Sequence, residues 1–332
     1  MKIIKLIFVI FLILTQFNIV VADESFEEWK INFKKFAISQ GVSERTLNNH
    51  INKSKFLADV IKYDRYQPEF YEDTKTYISK RTSNKKLKIG NKIYKNNIDK
   101  INIISNKYSV DKSLLLSLMG IETNFGSYLG KMDIISSLAT LSFDKRRSEF
   151  FTNELITLLK LIDKNIIDPN TLYGSWAGAF GNFQFMPSTI KNYAIDFDND
   201  NKISLKKTDD SFASAANYLS ELGWNNSNPC FFKVDLKSNI PNQYLNFSAK
   251  KIHSIKKVNY LKKYINDPSF LNSYDNLNAA IITPDVEIVE NSEKLSPAYI
   301  VFDNYKLILK WNRSLRFALA VCTLKDKFKN EL

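Results

Sequence analysis

Histidine and cysteine are scarce in this chain, two of each in 332 residues, and there are only nine glycines. His50 and His253 stand outside any recognisable nucleophile context, and no Cys-x-x-Cys pair occurs. A zinc site and a Ser/His/Asp triad therefore both lack support. No phosphate loop is present. There is no arginine-rich tail or basic repeat, although 47 Lys and Arg against 35 Asp and Glu give a formal charge of +12. Scattered lysines of this kind make a solvated basic surface that suits an anionic partner, rather than a nucleic-acid footprint. Beyond the N-terminus no apolar run has the length of a membrane span. Cys230 and Cys322 either pair or stay as two buried thiols; spacing alone does not decide.

What is present starts with an export signal. Lys2 and Lys5 precede an apolar run from Leu6 to Leu14, continued from Thr15 to Val21, and Val20 and Ala22 take the −3 and −1 positions ahead of Asp23. Gln16 and Asn18 interrupt the run and small residues close it, which favours a cleaved secretory signal over residues 1–22 rather than a retained anchor. No cysteine follows the run, so lipid attachment has no acceptor. Export argues against a nucleic-acid partner, and a periplasmic location is expected.

Apolar residues make up 44 percent of the chain, enough for a sizeable core. Residues 25–62 have helical spacing, with Phe26, Trp29, Phe33 and Phe36 in register and Ser43 as a cap. Residues 83–97, rich in Lys and Asn, have the composition of an exposed connection. Helices are predicted over 98–108, within 133–164 and over 211–224. After Pro229 the runs 279–283, 298–302 and 306–310 read as strands, the last two joined by a turn at Asp303-Asn304. Residues 311–328 are helical in pattern.

The stretch 111–126, DKSLLLSLMGIETNFG, is the centre of the sequence. Asp111 or Ser113 can cap a helix on which Leu114, Leu115, Leu118 and Met119 recur at helical spacing. Glu122 falls on that stripe, and Asn124 and Gly126 end the helix. A carboxylate at the C-terminal end of an apolar helix is disfavoured as an anion by the macrodipole and by burial, both of which raise its pKa. Glu122 is thus a candidate general acid. The alternative is a helix-end glutamate that reaches solvent or pairs with a Lys or Arg.

Two further segments stand out. Gly174, Gly178 and Gly181 crowd into GSWAGAFGNFQFMPS, which demands close backbone approach or special dihedrals. Trp176 and Phe180 within it suit sugar stacking or core packing equally. Asp196, Asp198 and Asp200 then match positions one, three and five of a calcium loop, with Asn201 at the sharp turn and the Lys202 carbonyl at position seven. Lys207 replaces the usual bidentate glutamate at position twelve, leaving Asp210 as a substitute ligand. The loop is either a weak cation site or a turn-rich acidic loop without metal.

In their order, GIETNFG, LATLSF with Arg146-Arg147, GSWAGAFGNFQFMPS, DFDNDNKI, YLSELGW and YKLILKWNRS resemble the lytic murein transglycosylase B family, glycoside hydrolase family 103, over about residues 25–325. The resemblance implies a mainly α fold: a lysozyme-like helical catalytic domain (23–230 plus 311–332) with a small β-containing lobe (231–310). It implies cleavage of the β-1,4 bond between N-acetylmuramic acid and N-acetylglucosamine in peptidoglycan strands, leaving 1,6-anhydromuramoyl ends. Glu122 would be the single catalytic residue, acid and then base. Ser175, Gln184, Asn312, Arg146 and Arg147 would contact substrate, and Trp311, where the family often has Tyr, keeps an aromatic face for the sugar. Phe317 likewise replaces a common Tyr. No cofactor is required. A structural Ca2+ or Na+ would be held by Asp196, Asp198, Asp200, Lys202 and Asp210. Wall-synthesis proteins are conceivable partners in that setting. A hydrolysing muramidase and a non-catalytic wall-binding protein are the rival readings.

Overall fold

The computed structural model describes residues 25–66, 72–286, 288–290 and 292–332, so the export signal lies outside the described residues. Contacts divide the chain into two units, one built from residues 25–66, 129–192 and 199–204, the other from 72–128, 193–198 and 205–332. That division cuts across the boundaries expected from the sequence, because the strand-bearing region shares a unit with the Glu122 helix.

In the first unit the helix over residues 25–39 turns Phe26 and Phe33 into the core, while Phe36 remains 45% exposed. Phe26, Trp29, Phe56 and Phe143 form one aromatic cluster with ring centroids 5.3–6.3 Å apart. The expected Ser43 cap is present: its hydroxyl accepts from the Thr46 N–H, and its own N–H donates to Asp163 at 2.8 Å. The Ile134–Phe143 helix, capped by Asp133, is buried along nearly its whole length and packs on the Ser148–Asp163 helix.

The second unit is organised on the Lys112–Thr123 helix. Its residues from Ser113 to Gly120 are all buried, so the apolar stripe expected along one face is in fact a helix enclosed on every side. Leu315–Lys329, Asn84–Asn96, Ile98–Tyr108 and Thr208–Glu221 pack around it. Small residues let neighbours come close. A Cβ at Gly120 would stand 2.7 Å from the Phe125 ring, and one at Gly90 would stand 2.2 Å from the ring of Phe328.

Two segments differ from their sequence reading. Residues 84–96 are a helix rather than a connection; Leu87, Gly90 and Tyr94, spaced three and four apart, are its only buried positions, too narrow a stripe to stand out among lysines. Residues 303–311 are also a helix rather than a strand. Tyr305, Ile308 and Leu309 are the face it buries, a helical spacing that the alternation of Tyr305, Leu307 and Leu309 masks.

Five strands form the expected small sheet, in the order Phe231–Val234, Ala298–Val301, Asn278–Ile282, Leu245–Asn246, with Lys256–Lys257 also paired to Asn278–Ile282. Only the pairing of Leu245–Asn246 with Asn278–Ile282 is parallel. Val258, Leu261, Ile265, Ile281 and Ile300 fill one core beneath it. Cys230 and Cys322 are disulfide-bonded, joining the start of this region to the C-terminal helix across 92 residues. No described helix is long and apolar enough to cross a membrane.

Two outcomes follow for stability. Reducing the Cys230–Cys322 bond should lower stability by about 2–5 kcal/mol, seen as a fall in melting temperature on adding dithiothreitol. Gly90→Ala should cost about 1–3 kcal/mol through overpacking, measured by urea denaturation, whereas Ala at the solvent-facing Lys92 should be near neutral.

Candidate active site

The Lys112–Thr123 helix begins at Asp111, whose side chain makes no capping bond, and ends where Asn124 adopts the left-handed conformation at φ 49°. Phe125 (φ 59°) and Gly126 (φ 78°) continue it, three left-handed residues in succession. For Phe125 this backbone is costly; its ring is held at Gly120 and edge-on to Phe328, with centroids 6.3 Å apart. The Thr123 hydroxyl accepts from the Gly126 N–H at 3.0 Å. Lys86, which the sequence reading missed, donates to the Gly120 carbonyl and, at 3.1 Å, to the Asn124 side chain. An ammonium at this point satisfies a terminal carbonyl and opposes the negative end of the helix. Burial, and then the charge of Arg81, hold the Lys86 pKa below the usual lysine range.

This arrangement fixes Glu122, half-buried in the last turn. Its Oε1 accepts from the indole Nε1–H of Trp311 at 3.0 Å. Trp311, expected to face sugar, therefore also holds the candidate acid. The indole is a donor only and does not titrate, so it orients one carboxylate oxygen at any working pH. Trp311 is in turn set by Tyr218, at 5.2 Å between rings, and Tyr218 by Tyr193, at 4.4 Å. Burial, with Tyr193 adding, pushes the Tyr218 phenol up. The YLSELGW segment was the only sequence signal for Tyr218.

Asn312 breaks the chain between two helices. It closes Asp303–Trp311 with an extended backbone, and its carbonyl accepts from the Ser314 N–H at 2.8 Å. Ser314 then caps Leu315–Lys329. The helical pattern expected over 311–328 is thus interrupted at 312–314. The Tyr305 hydroxyl donates to the Leu315 carbonyl at 2.7 Å and locks the corner. Phe317 is buried.

Ser175 and Gln184 belong to the first unit. Gly178 (φ 91°) turns beneath Ser175, and a Cβ there would meet Leu138 at 2.3 Å. The Ser175 hydroxyl accepts from the Ala179 N–H at 3.0 Å. Gln184 sits at φ 50° and donates through Nε2 to the carbonyls of Gly181, at 3.0 Å, and Leu129, at 3.3 Å. Phe180 is core, bridged to Phe185, and Trp176 is half-buried.

Arg146 and Arg147 converge on Asp64, which no sequence pattern singled out because its partners lie about eighty residues away. Arg146 donates through Nε to Asp64 Oδ2 at 2.7 Å, and Arg147 pairs with Oδ1. Beside them Arg65 grips Asp144 at 2.7 and 3.1 Å. Asp64 is 1% exposed at its side chain while both arginines stay about two-fifths exposed, so they are held from beneath and open above.

Of the acidic loop, Asp196, Asp198 and Asp210 bring carboxylate oxygens within 4.8 Å of one another. That span is about twice a calcium–oxygen distance, so the three fit one hard cation. Asp210 is fully buried and accepts from the Phe197 N–H at 2.8 Å. Asp200 is not in this group; its Oδ1 accepts from the Lys202 N–H at 2.9 Å. Asn201 is left-handed at φ 64°, as the sharp-turn position requires. Lys207, at the position of the missing glutamate, pairs with Asp198 at 3.1 Å.

A buried helix ending in a carboxylate, with further helices and a small sheet around it, makes a lysozyme-like fold. The profile of the transglycosylase SLT domain matches residues 25–326, and the chain belongs to that family. It is 42% identical over 127 residues to membrane-bound lytic murein transglycosylase B of Escherichia coli K12, covering 38% of this chain and 35% of that protein, so the match spans about a third of that relative's length. SltB3 of Pseudomonas aeruginosa, solved with NAG-anhNAM-pentapeptide, is 29% identical with a TM-score of 0.79, over 92% of this chain and 79% of that one. The Escherichia coli lytic transglycosylase Slt35 in complex with calcium is 26% identical with a TM-score of 0.73, over 93% and 94% of the two chains.

Asp64→Ala should destabilise the first unit by about 1.5–3 kcal/mol, the scale of hydrogen bonds to charged groups, because the half-exposed arginines it releases are solvated in part by water, measurable by denaturant unfolding. The Arg65 hydrogen bond holds the Asp144 carboxyl below the usual carboxylate range. A depressed folded pKa contributes stability above the unfolded value of about 3.9 that is lost as pH falls through the folded value. Asp144→Asn should therefore lower stability at neutral pH and flatten the acid limb of the stability–pH curve.

Proposed function

We propose that the protein is an exported peptidoglycan lytic transglycosylase acting in the periplasm. The observation that carries this reading is the Glu122 carboxylate, presented at the end of a buried helix with one oxygen held by Trp311, in a chain of the transglycosylase family. Protonated Glu122 gives its proton to the glycosidic oxygen as the C1–O bond breaks, releasing the N-acetylglucosamine 4-hydroxyl. The substrate's own N-acetyl carbonyl oxygen bonds to C1. The muramoyl 6-hydroxyl then attacks C1, expels that carbonyl and returns its proton to Glu122, so one carboxyl serves as acid and base in turn. Asn312, one residue beyond Trp311, is assigned to the acetamide. Ser175, Gln184, Arg146 and Arg147 are assigned to substrate on the family motifs alone. Asp196, Asp198 and Asp210, with Asp200 and the Lys202 carbonyl, are assigned a structural Ca2+ or Na+, whose charge would relieve the repulsion of converging carboxylates.

Digestion of sacculi with wild type should give anhydromuramoyl ends by mass spectrometry, and Glu122→Gln should lower the rate by at least about a thousandfold. Reducing ends instead would show a hydrolysing muramidase, and unchanged release by the variant would remove Glu122 from the chemistry. Chelation with EDTA should lower the melting temperature and added calcium restore it, a response that Asp210→Asn should abolish.

A further inference from the structure

Asn246, fully buried, ends a strand of the small sheet and uses its side chain as a staple. Its Oδ1 accepts from the His253 N–H at 2.7 Å, and its Nδ2 donates to the carbonyls of His253, at 3.2 Å, and Ile281, at 2.9 Å. Both ends of the loop between 246 and 253 are thereby tied to one buried amide, and the loop is a fixed feature rather than a loose excursion. It forms one wall of a cleft of about 330 Å3, within the size range of ligand pockets. The opposite wall is the Asp303–Trp311 helix and Arg313 in the corner that follows it.

The lining is strongly one-signed. Lys250, Lys251, Lys306, Lys310 and Arg313 surround the cleft, and no acidic residue lines it. Lys306 is offset by Asp303 at 2.6 Å. Among the described residues the other four have no carboxylate within ion-pair distance, so their mutual repulsion is uncompensated by the protein. Ile252 and Leu309 add apolar surface between the cations. Cations spread around an apolar floor suit a ligand with several anionic groups on a partly apolar frame. Lys310 and Arg313 also bracket Trp311 and Asn312, so this cleft shares an element with the residue that holds Glu122. Its ligand is best understood as part of the molecule on which Glu122 acts.

We propose that this cleft binds the free carboxylates of the peptide stem carried by the glycan substrate, so that Lys250, Lys251, Lys310 and Arg313 make the enzyme prefer peptide-bearing over bare strands. This rests on the peptidoglycan reading above and adds the determinant of stem recognition. Binding energy gathered here, away from the reacting bond, lowers KM for stem-bearing glycan more than it changes kcat.

The test compares wild type with the Lys250→Ala/Lys251→Ala double variant, both exposed loop positions, on sacculi and on the same sacculi stripped of peptide by an amidase. A synthetic peptide carrying three free carboxylates is titrated calorimetrically into each intact protein. The double variant should lose about tenfold in kcat/KM on peptide-bearing relative to stripped glycan, the scale of charge-assisted hydrogen bonds, with the loss in KM and the heat of peptide binding abolished. Equal changes on both substrates, or peptide binding that the variant retains, would overturn the proposal. So would inorganic phosphate or phosphatidylglycerol vesicles displacing the peptide at comparable concentration, which would mark a general anion or lipid-headgroup site. If wild type cleaved neither substrate the transglycosylase reading would fail, and the calorimetric arm would still judge the cleft.

Discussion

The enclosure of the Lys112–Thr123 helix is the constraint on which the second unit depends. A helix enclosed along most of its length has few solvent partners for its terminal carbonyls, so the protein answers much of that end. The answer is local and dense: three left-handed residues, the Thr123 hydroxyl, and the amine of Lys86. Two of the helices that pack around it supply something to that end. The Asn84–Asn96 helix brings Lys86 and makes room at Gly90, and the C-terminal helix brings Phe328. Glu122 is the polar group that this construction delivers at its rim, and its placement is inherited from the packing of a core.

The second constraint is the corner at 312–314. Two helices meet there with only three residues between them, pinned by the Tyr305–Leu315 bond and the Ser314 cap. A side chain at such a corner has little freedom, which is why an indole can be aimed at a carboxylate from 189 residues away. Aromatic packing on Tyr218 and Tyr193 holds the ring plane. Trp in place of Tyr is therefore more than retention of an aromatic face: it exchanges a group that donates, accepts and ionises for one that only donates.

How much of this was legible in the sequence follows from the range of each interaction. The Glu122 helix, its left-handed stop and the Ser43 cap depend on neighbours within a few residues, and they were readable. The Asn84–Asn96 helix was not, because its buried stripe is narrow and one of its lysines, Lys86, serves a role 34 residues away, at Gly120. The Asp303–Trp311 helix was misread because three alternating apolar residues fit a strand as well as a turn and a half of helix. The Asp64–Arg146–Arg147 cluster and the Asn246 staple are invisible without the fold, since nothing local marks an Asp or an Asn that will be buried. In the acidic loop, Asp196 and Asp198 cluster with Asp210, the residue read as a substitute ligand, while Asp200 lies outside that cluster.

The bond between Cys230 and Cys322 gives the second unit an unusual topology. It closes a covalent ring that contains the whole small sheet, the cationic cleft and the Trp311 corner. A single backbone cut anywhere inside that ring leaves no free fragment, because the two halves remain joined through sulfur to the C-terminal helix that packs on Lys112–Thr123. The part of the molecule that aims the indole is thus tethered to the part that carries the carboxylate even when its own chain is broken. In an environment rich in proteases, such a ring separates nicking from loss.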